Sequence, residues 1–221
     1  GGGLDLKFPH HENEIAQCEV CNDTHLANIW VHNGMINING IKMSKSLGNV
    51  WWAKDLIENH GGNLTRWLMI STHYRAPLNL NEEAFTTSKK ELDKIAAAYK
   101  QACVKLALSS VQEATTFDET YTAFIDALND DLNTPNAISV VYEVVKKINQ
   151  AVRQREIDVE NLSVLVHTLE KMLYILGIEF EKITMSEEDK EMYQNWRNAV
   201  KEKDFETADT LRQTLIEKGI L

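Results

Sequence analysis

The sequence is short of the features that would place it outside the cell, across a membrane, or on nucleic acid through bulk charge. It has 3 cysteines in 221 residues, an odd count that argues against a disulfide framework and for reduced thiols. No apolar run approaches the roughly 20 residues that a membrane-spanning helix needs, and the first residues lack the basic-then-apolar pattern of a secretory signal. A soluble, cytoplasmic protein is the expectation. Lys and Arg number 23 against 33 Asp and Glu, a formal net charge of −10. That balance excludes gripping phosphates through overall positive charge, so any RNA role must rest on local patches. The 3 prolines all fall at expected helix edges, at Pro9, Pro77 and Pro135. There is no internal repeat and no low-complexity stretch.

What is present is a chain with 43% apolar residues, enough for a real core in one or two domains. Gly1-Gly2-Gly3 followed by Leu4-Asp5-Leu6 reads as a strand-to-loop passage inside an α/β domain, because triglycine offers backbone room but no packing surface. The expectation is a fragment that begins within a domain. A helix is predicted from His10 to about Cys18, after Pro9 and with Glu12 and Glu14 in its first turns. Residues 27–33 and 35–38 are rich in β-formers, and Asn39-Gly40 between Ile38 and Ile41 is a hairpin signal. From Trp51 onward the patterns are almost all helical. Short helices are predicted over 52–58 and 63–72. A long one follows Asn81, with the stripe Phe85, Leu92, Ile95, Tyr99, Cys103 and Leu106. Further amphipathic helices are predicted over 117–129, from Thr134 as cap with Ile138, Val141, Val145, Ile148 and Val152 inward, and through Leu162, Leu165, Leu169, Met172, Leu173 and Leu176 to Gly177. Short loops imply antiparallel neighbours. Ser186 and Asp189 have capping-box spacing at the start of a last helical pair.

Two segments carry chemistry. Lys42-Met43-Ser44-Lys45-Ser46 holds two ammonium groups between small hydroxyl residues, which suits pairing with a polyphosphate whose charge shifts during reaction; a solvated lysine turn is the bland alternative. His10 and Glu14 are four residues apart, so on a helix they share one face and can chelate one ion, although two ligands are not a site and a polar helix end would look the same. Cys18-Glu19-Val20-Cys21 has a metal or redox spacing, but no second pair follows at knuckle distance.

The lysine loop resembles the signature loop of class I aminoacyl-tRNA synthetases, and the stretch from Gly1 through Phe8-Pro9-His10-His11-Glu12-Asn13-Glu14-Ile15-Ala16-Gln17 resembles the zinc-helix segment of cysteinyl-tRNA synthetases. The resemblance covers essentially the whole chain, strongly through Asn49 and more loosely in the helices. It implies the C-terminal half of such an enzyme, mainly α, with the end of a Rossmann-like α/β catalytic domain over 1–50, a stem-contact-like region over 51–80, an antiparallel helical bundle for tRNA over 81–181 and a terminal helical hairpin over 182–221. It further implies that the full enzyme activates cysteine with ATP to cysteinyl-adenylate and transfers it to tRNA(Cys).

In that reading Lys45 stabilises the phosphates with Lys42 in support, and Gly2, Gly3 and Asp5 meet the nucleotide, Asp5 being equally readable as a turn residue. His10 and Glu14 hold one Zn(2+) per subunit together with two cysteines from upstream of this chain. A thiolate bonding to zinc would reject serine better than a pocket sensing size. His73 to Asn79 and Asp130 to Pro135 resemble family stretches that can be purely structural. Asp209 matches a position that can contact an anticodon base, an exposed helix Asp being the plainer explanation. The expected working form is a monomer without membrane contact, and the 221 residues alone are expected to be inactive. The rival readings are a cysteine ligase acting on a small amino sugar, which would have little use for the long helical half, and a tRNA-binding helical module only.

Overall fold

A computed structural model describes residues 1–109 and 111–221. The chain divides into two compact units, one of Gly1–Lys90 with Asp126–Ala137 and one of Glu91–Ile125 with Ile138–Leu221.

In the first unit, strand β1 (Gly2–Gly3) leads into a tight turn at Leu4–Leu6 and a widened turn at Lys7–His11, then into helix α1 (Glu12–Asn22). The regular helix therefore starts two residues later and runs four residues further than the predicted His10 to Cys18. Phe8 breaks the helical backbone just before the cis Phe8–Pro9 bond. Asp23 ends α1 in the left-handed conformation, its N–H returning to the Glu19 carbonyl.

Strand β2 (His32–Asn33) pairs in parallel with β1, Gly2 opposite His32. Strands β3 (Ile36–Ile38) and β4 (Ile41–Lys42) form the hairpin that Asn39-Gly40 signals. Both turn residues have positive φ, 50° and 80°, as a two-residue turn matched to strand twist requires.

Helices α2 (Ala53–His60) and α3 (Gly62–Ile70) follow, close to expectation. The chain then returns as a strand the periodicity did not show, β5 (Leu78–Leu80), parallel to β3 with Ile36 opposite Leu78. Parallel neighbours need a crossover, and α2 and α3 supply it. Three residues after a proline are too short to display alternation, so β5 exists because β3 offers it a ladder. Ile38, Leu56, Leu68, Leu80 and Phe85 close the core beneath this sheet, with Met43 and Trp51 packed against them.

The long helix α4 (Glu82–Ala107) begins as predicted, with the Asn81 side chain accepting from the Ala84 N–H at 2.8 Å. Helix α5 (Thr120–Asn129) starts three residues after the predicted Phe117, because Asp118 receives the Thr120 N–H and hydroxyl and caps the helix there. Helix α6 (Thr134–Ala151) contains Thr134 as its first residue. Its cap is Asn133, whose side-chain oxygen accepts from Asn136 N–H at 3.2 Å, one residue earlier than expected. Helix α7 (Val159–Leu176) buries all six expected residues and ends on Gly177 at φ 71°.

The second unit takes its core from the inward stripes of α4, α6 and α7, including Ile95, Val141, Val144, Ile148, Leu162 and Leu169, all fully buried. Cys103 packs there, as expected of a bundle cysteine. Helices α8 (Glu187–Glu202) and α9 (Phe205–Glu217) form the terminal hairpin around Tyr193 and Leu215. The Ser186–Asp189 capping box is complete in both directions, and Lys218 donates to Asp189 at 2.6 Å. Among the described residues, no helix is long and apolar enough to cross a membrane.

Candidate functional site

The site is assembled in the first unit from β1, the turns that follow it, and the β3–β4 hairpin with its loop. Gly2 and Gly3 are closely approached by neighbouring side chains. A Cβ on Gly2 would lie 3.0 Å from the His11 ring and from Leu6, and one on Gly3 would lie 2.5 Å from the Asp5 carboxylate. Asp5 thus folds back against the glycine backbone. It meets Lys42 from the far end of β4, with Nζ to Oδ2 3.6 Å. The two side chains are 57% and 50% exposed, so the pair contributes little stability, and an incoming polyanion can take Lys42 from Asp5 at small cost.

The lysine loop is organised by its small polar residues. Ser44 N–H donates to the Asn49 side chain at 2.9 Å, and that side chain's amide returns to the Lys42 carbonyl at 3.2 Å. The Ser44 and Ser46 hydroxyls lie 3.2 Å apart, and Gly48 turns the chain at φ 68°. Met43 anchors the loop in the core, its N–H on the Ile36 carbonyl at 2.9 Å. Lys45 is left exposed at the turn. The loop is therefore held by backbone and hydroxyl bonds while the Lys45 ammonium stays accessible.

His10 and Glu14 are both exposed, on the last residues of the widened turn and the first turn of α1. An imidazole and a carboxylate one turn apart on an accessible face are half of the tetrahedral donor set zinc takes. Among the described residues no group of three or more His, Cys, Asp or Glu is placed to hold a metal, so an ion at these two would need further donors. Gly2, Gly3, Asp5, His10, Glu14, Lys42 and Lys45 all belong to the first unit, whereas Asp209 lies in the second, exposed on α9.

Sequence reasoning did not find the histidine pair beneath this site. His11 is buried, and its Nδ1 lies 2.8 Å from Nε2 of His32, within hydrogen-bond reach. Trp30 stacks on His32 at an interplanar angle of 6°. Burial holds the His32 imidazole below its usual range, and the neighbouring His11 and Lys7 act in the same direction. The partners are 21 residues apart and joined only by the β1–β2 pairing, so no local pattern announces them. The stretches around Arg75 and Asp131 also prove to be partners. Arg75 grips Asp131 through two nitrogens at 2.6 and 3.0 Å, and the Tyr74 hydroxyl donates to it at 2.6 Å.

Residues 1–90 match the family model described as "tRNA synthetases class I (C) catalytic domain", and residues 123–181 match the "DALR domain". Residues 1–90 are thus similar to class I synthetase catalytic domains. Among curated relatives it is 39% identical over 229 residues to a cysteine–tRNA ligase of Bacillus cereus strain B4264, and 36% identical over 222 residues to that of Mycoplasma mycoides subsp. mycoides SC. These alignments take in 100% of this chain but 49% and 50% of the relatives; the chain spans about half the length of the curated relatives it matches. Over its whole length it is similar to about half of each of these cysteine–tRNA ligases. Among solved structures, the ternary complex of Agrobacterium radiobacter K84 agnB2 LeuRS with tRNA and LeuAMS shares the fold, with a TM-score of 0.56 at 16% identity over 85% of this chain and 29% of that one.

Proposed function

We propose that this chain supplies the ATP-loop half of a cysteine–tRNA ligase, which joins cysteine to ATP as cysteinyl-adenylate and passes the acyl group to tRNA(Cys). The observation that carries this reading is the 3.6 Å approach of Lys42 to Asp5, which puts the lysine loop beside the glycine strand leading to the zinc helix. In this reading ATP enters along Gly2, Gly3 and Asp5. Its phosphates take over Lys42 from Asp5, and Lys45 closes on the β- and γ-phosphates as the cysteine carboxylate attacks the α-phosphorus and pyrophosphate departs. The lysines contribute positive charge where negative charge gathers on the leaving group.

His10 and Glu14 would hold zinc together with cysteines from elsewhere in the enzyme, and a zinc ion there would supply a soft acceptor for the substrate thiolate. The helical units carry the tRNA contacts, Asp209 among them as an acceptor for a base amino group. The enzyme works as a monomer in the cytoplasm. In the cysteine-activating enzyme that contains this chain, Lys45→Ala is expected to lower cysteine-dependent ATP–pyrophosphate exchange by about 10²–10³-fold, with the KM for cysteine far less affected. His10→Ala is expected to lower bound zinc by elemental analysis without changing the KM for ATP. An unchanged exchange rate in K45A, or unchanged zinc in H10A, would remove the corresponding role.

A further inference from the structure

None of the three thiols takes part in the reaction proposed above, and the setting of two of them differs sharply from that of the third. Cys103 is buried in α4, and burial pushes its thiol up to about 11, which leaves almost no nucleophilic thiolate at neutral pH. Cys18 is half-buried and Cys21 exposed, on a helix that buries none of its residues. Cysteine is among the residue types most often buried, and its use at a surface is usually decided by reactivity rather than packing. Packing does not account for this pair.

Their geometry does suggest a use. Three residues apart on the uninterrupted helix Glu12–Asn22, they lie on one face, one turn apart. Helix geometry sets their Cα atoms about 5 Å apart, inside the range of about 4.4–6.8 Å that a disulfide bridges. The Asn22 side-chain amide donates to the Cys18 sulfur at 3.7 Å, keeping that sulfur at the surface. Cys21 lies in the last turn of α1 and Cys18 one residue before that turn, close to where Asp23 ends the helix.

We propose that Cys18 and Cys21 form a thiol–disulfide exchange site for low-molecular-weight disulfides. One thiolate attacks the S–S bond of a disulfide such as oxidised glutathione, forming a mixed disulfide and releasing one glutathione thiolate. The second protein thiolate then attacks the mixed disulfide at the protein sulfur and releases the second glutathione. Two protein S–H bonds are replaced by one S–S bond, and the two electrons and two protons end on two glutathione thiols. The site is independent of the ligase reading, since it needs only α1 and its two sulfurs.

The test is intact-mass analysis of the reduced, folded 221-residue chain after incubation with oxidised glutathione. The expected product has lost the mass of two hydrogens and carries no lasting glutathionyl group. Trypsin then releases residues 8–42 as one peptide, and glutamate-specific cleavage leaves the fragments on either side of Glu19 joined until reductant is added. Cys18→Ser and Cys21→Ser are each expected to stop at a single glutathionyl adduct, while Cys103→Ser behaves as the parent. Stable adducts on both Cys18 and Cys21 of the parent, no reaction at either, or a bridge that includes Cys103 would each overturn the proposal.

Discussion

Gly34→Ala tests how the lysine-loop half of the first unit is held to the segment that carries Arg75. Gly34 is buried, and its N–H donates to the Tyr74 carbonyl at 2.7 Å. A Cβ there would lie 2.2 Å from the Ala76 oxygen, 2.5 Å from the Ala76 carbonyl carbon and 2.9 Å from the Arg75 oxygen. All three are backbone atoms, so no side chain can swing away. Residues 74–76 must retreat by roughly 1 Å, an overpacking cost of about 1–3 kcal/mol. The retreat also weakens the Gly34–Tyr74 hydrogen bond, a loss of about 0.5–1.5 kcal/mol. The expected destabilisation is therefore about 2–4 kcal/mol.

Urea unfolding followed by tryptophan fluorescence measures this selectively, since Trp30, Trp51, Trp52 and Trp67 lie in the first unit and Trp196 in the second. Two other glycines calibrate the result. A methyl group added at Gly40 would meet nothing within 4 Å, but the residue has a φ of 80°, so Gly40→Ala costs about 1–2 kcal/mol through backbone strain alone. Gly62 has neither contact nor positive φ, and Gly62→Ala is expected to be neutral or to gain about 0.4–1 kcal/mol by restricting the unfolded chain. A G34A variant no less stable than G62A would refute the reasoning.

Leu169 is fully buried in α7, and Leu169→Ala is expected to cost about 2–5 kcal/mol through lost burial and the cavity left behind; a loss below 1 kcal/mol in circular-dichroism melts, as about the cost of a surface change, would contradict the core assignment. The pH dependence of stability follows from two depressed carboxylates. Arg75, then Tyr74, hold Asp131 at about 2, and Lys218, then Ser186, hold Asp189 at about 2. Each group binds its proton more readily unfolded, near the ordinary value of about 4. Their stabilisation is therefore complete above that value and is lost as pH falls from about 4 through about 2. Asp131→Asn and Asp189→Asn should each reduce the slope of the urea midpoint against pH across that window, and an unchanged slope would show that the pairs do not persist in solution.

Much of this molecule was legible as sequence because its signals are local. The α7 stripe, the Gly177 stop, the Ser186–Asp189 box and the Asn39-Gly40 turn each rest on residues within one or two turns of one another, where helix period and turn chemistry act directly. The two chemical segments were legible for the same reason, as Lys42 to Ser46 and His10 to Glu14 are contiguous. Tertiary structure alone decided the rest. It created β5 by offering three residues an edge on β3, and it moved the α6 cap to Asn133. It also joined His11 to His32, Lys42 to Asp5, and Arg75 to Asp131 across 21, 37 and 56 residues. Such pairs have no period and no fixed spacing, because they form only when strands and helices bring distant backbones within hydrogen-bond reach.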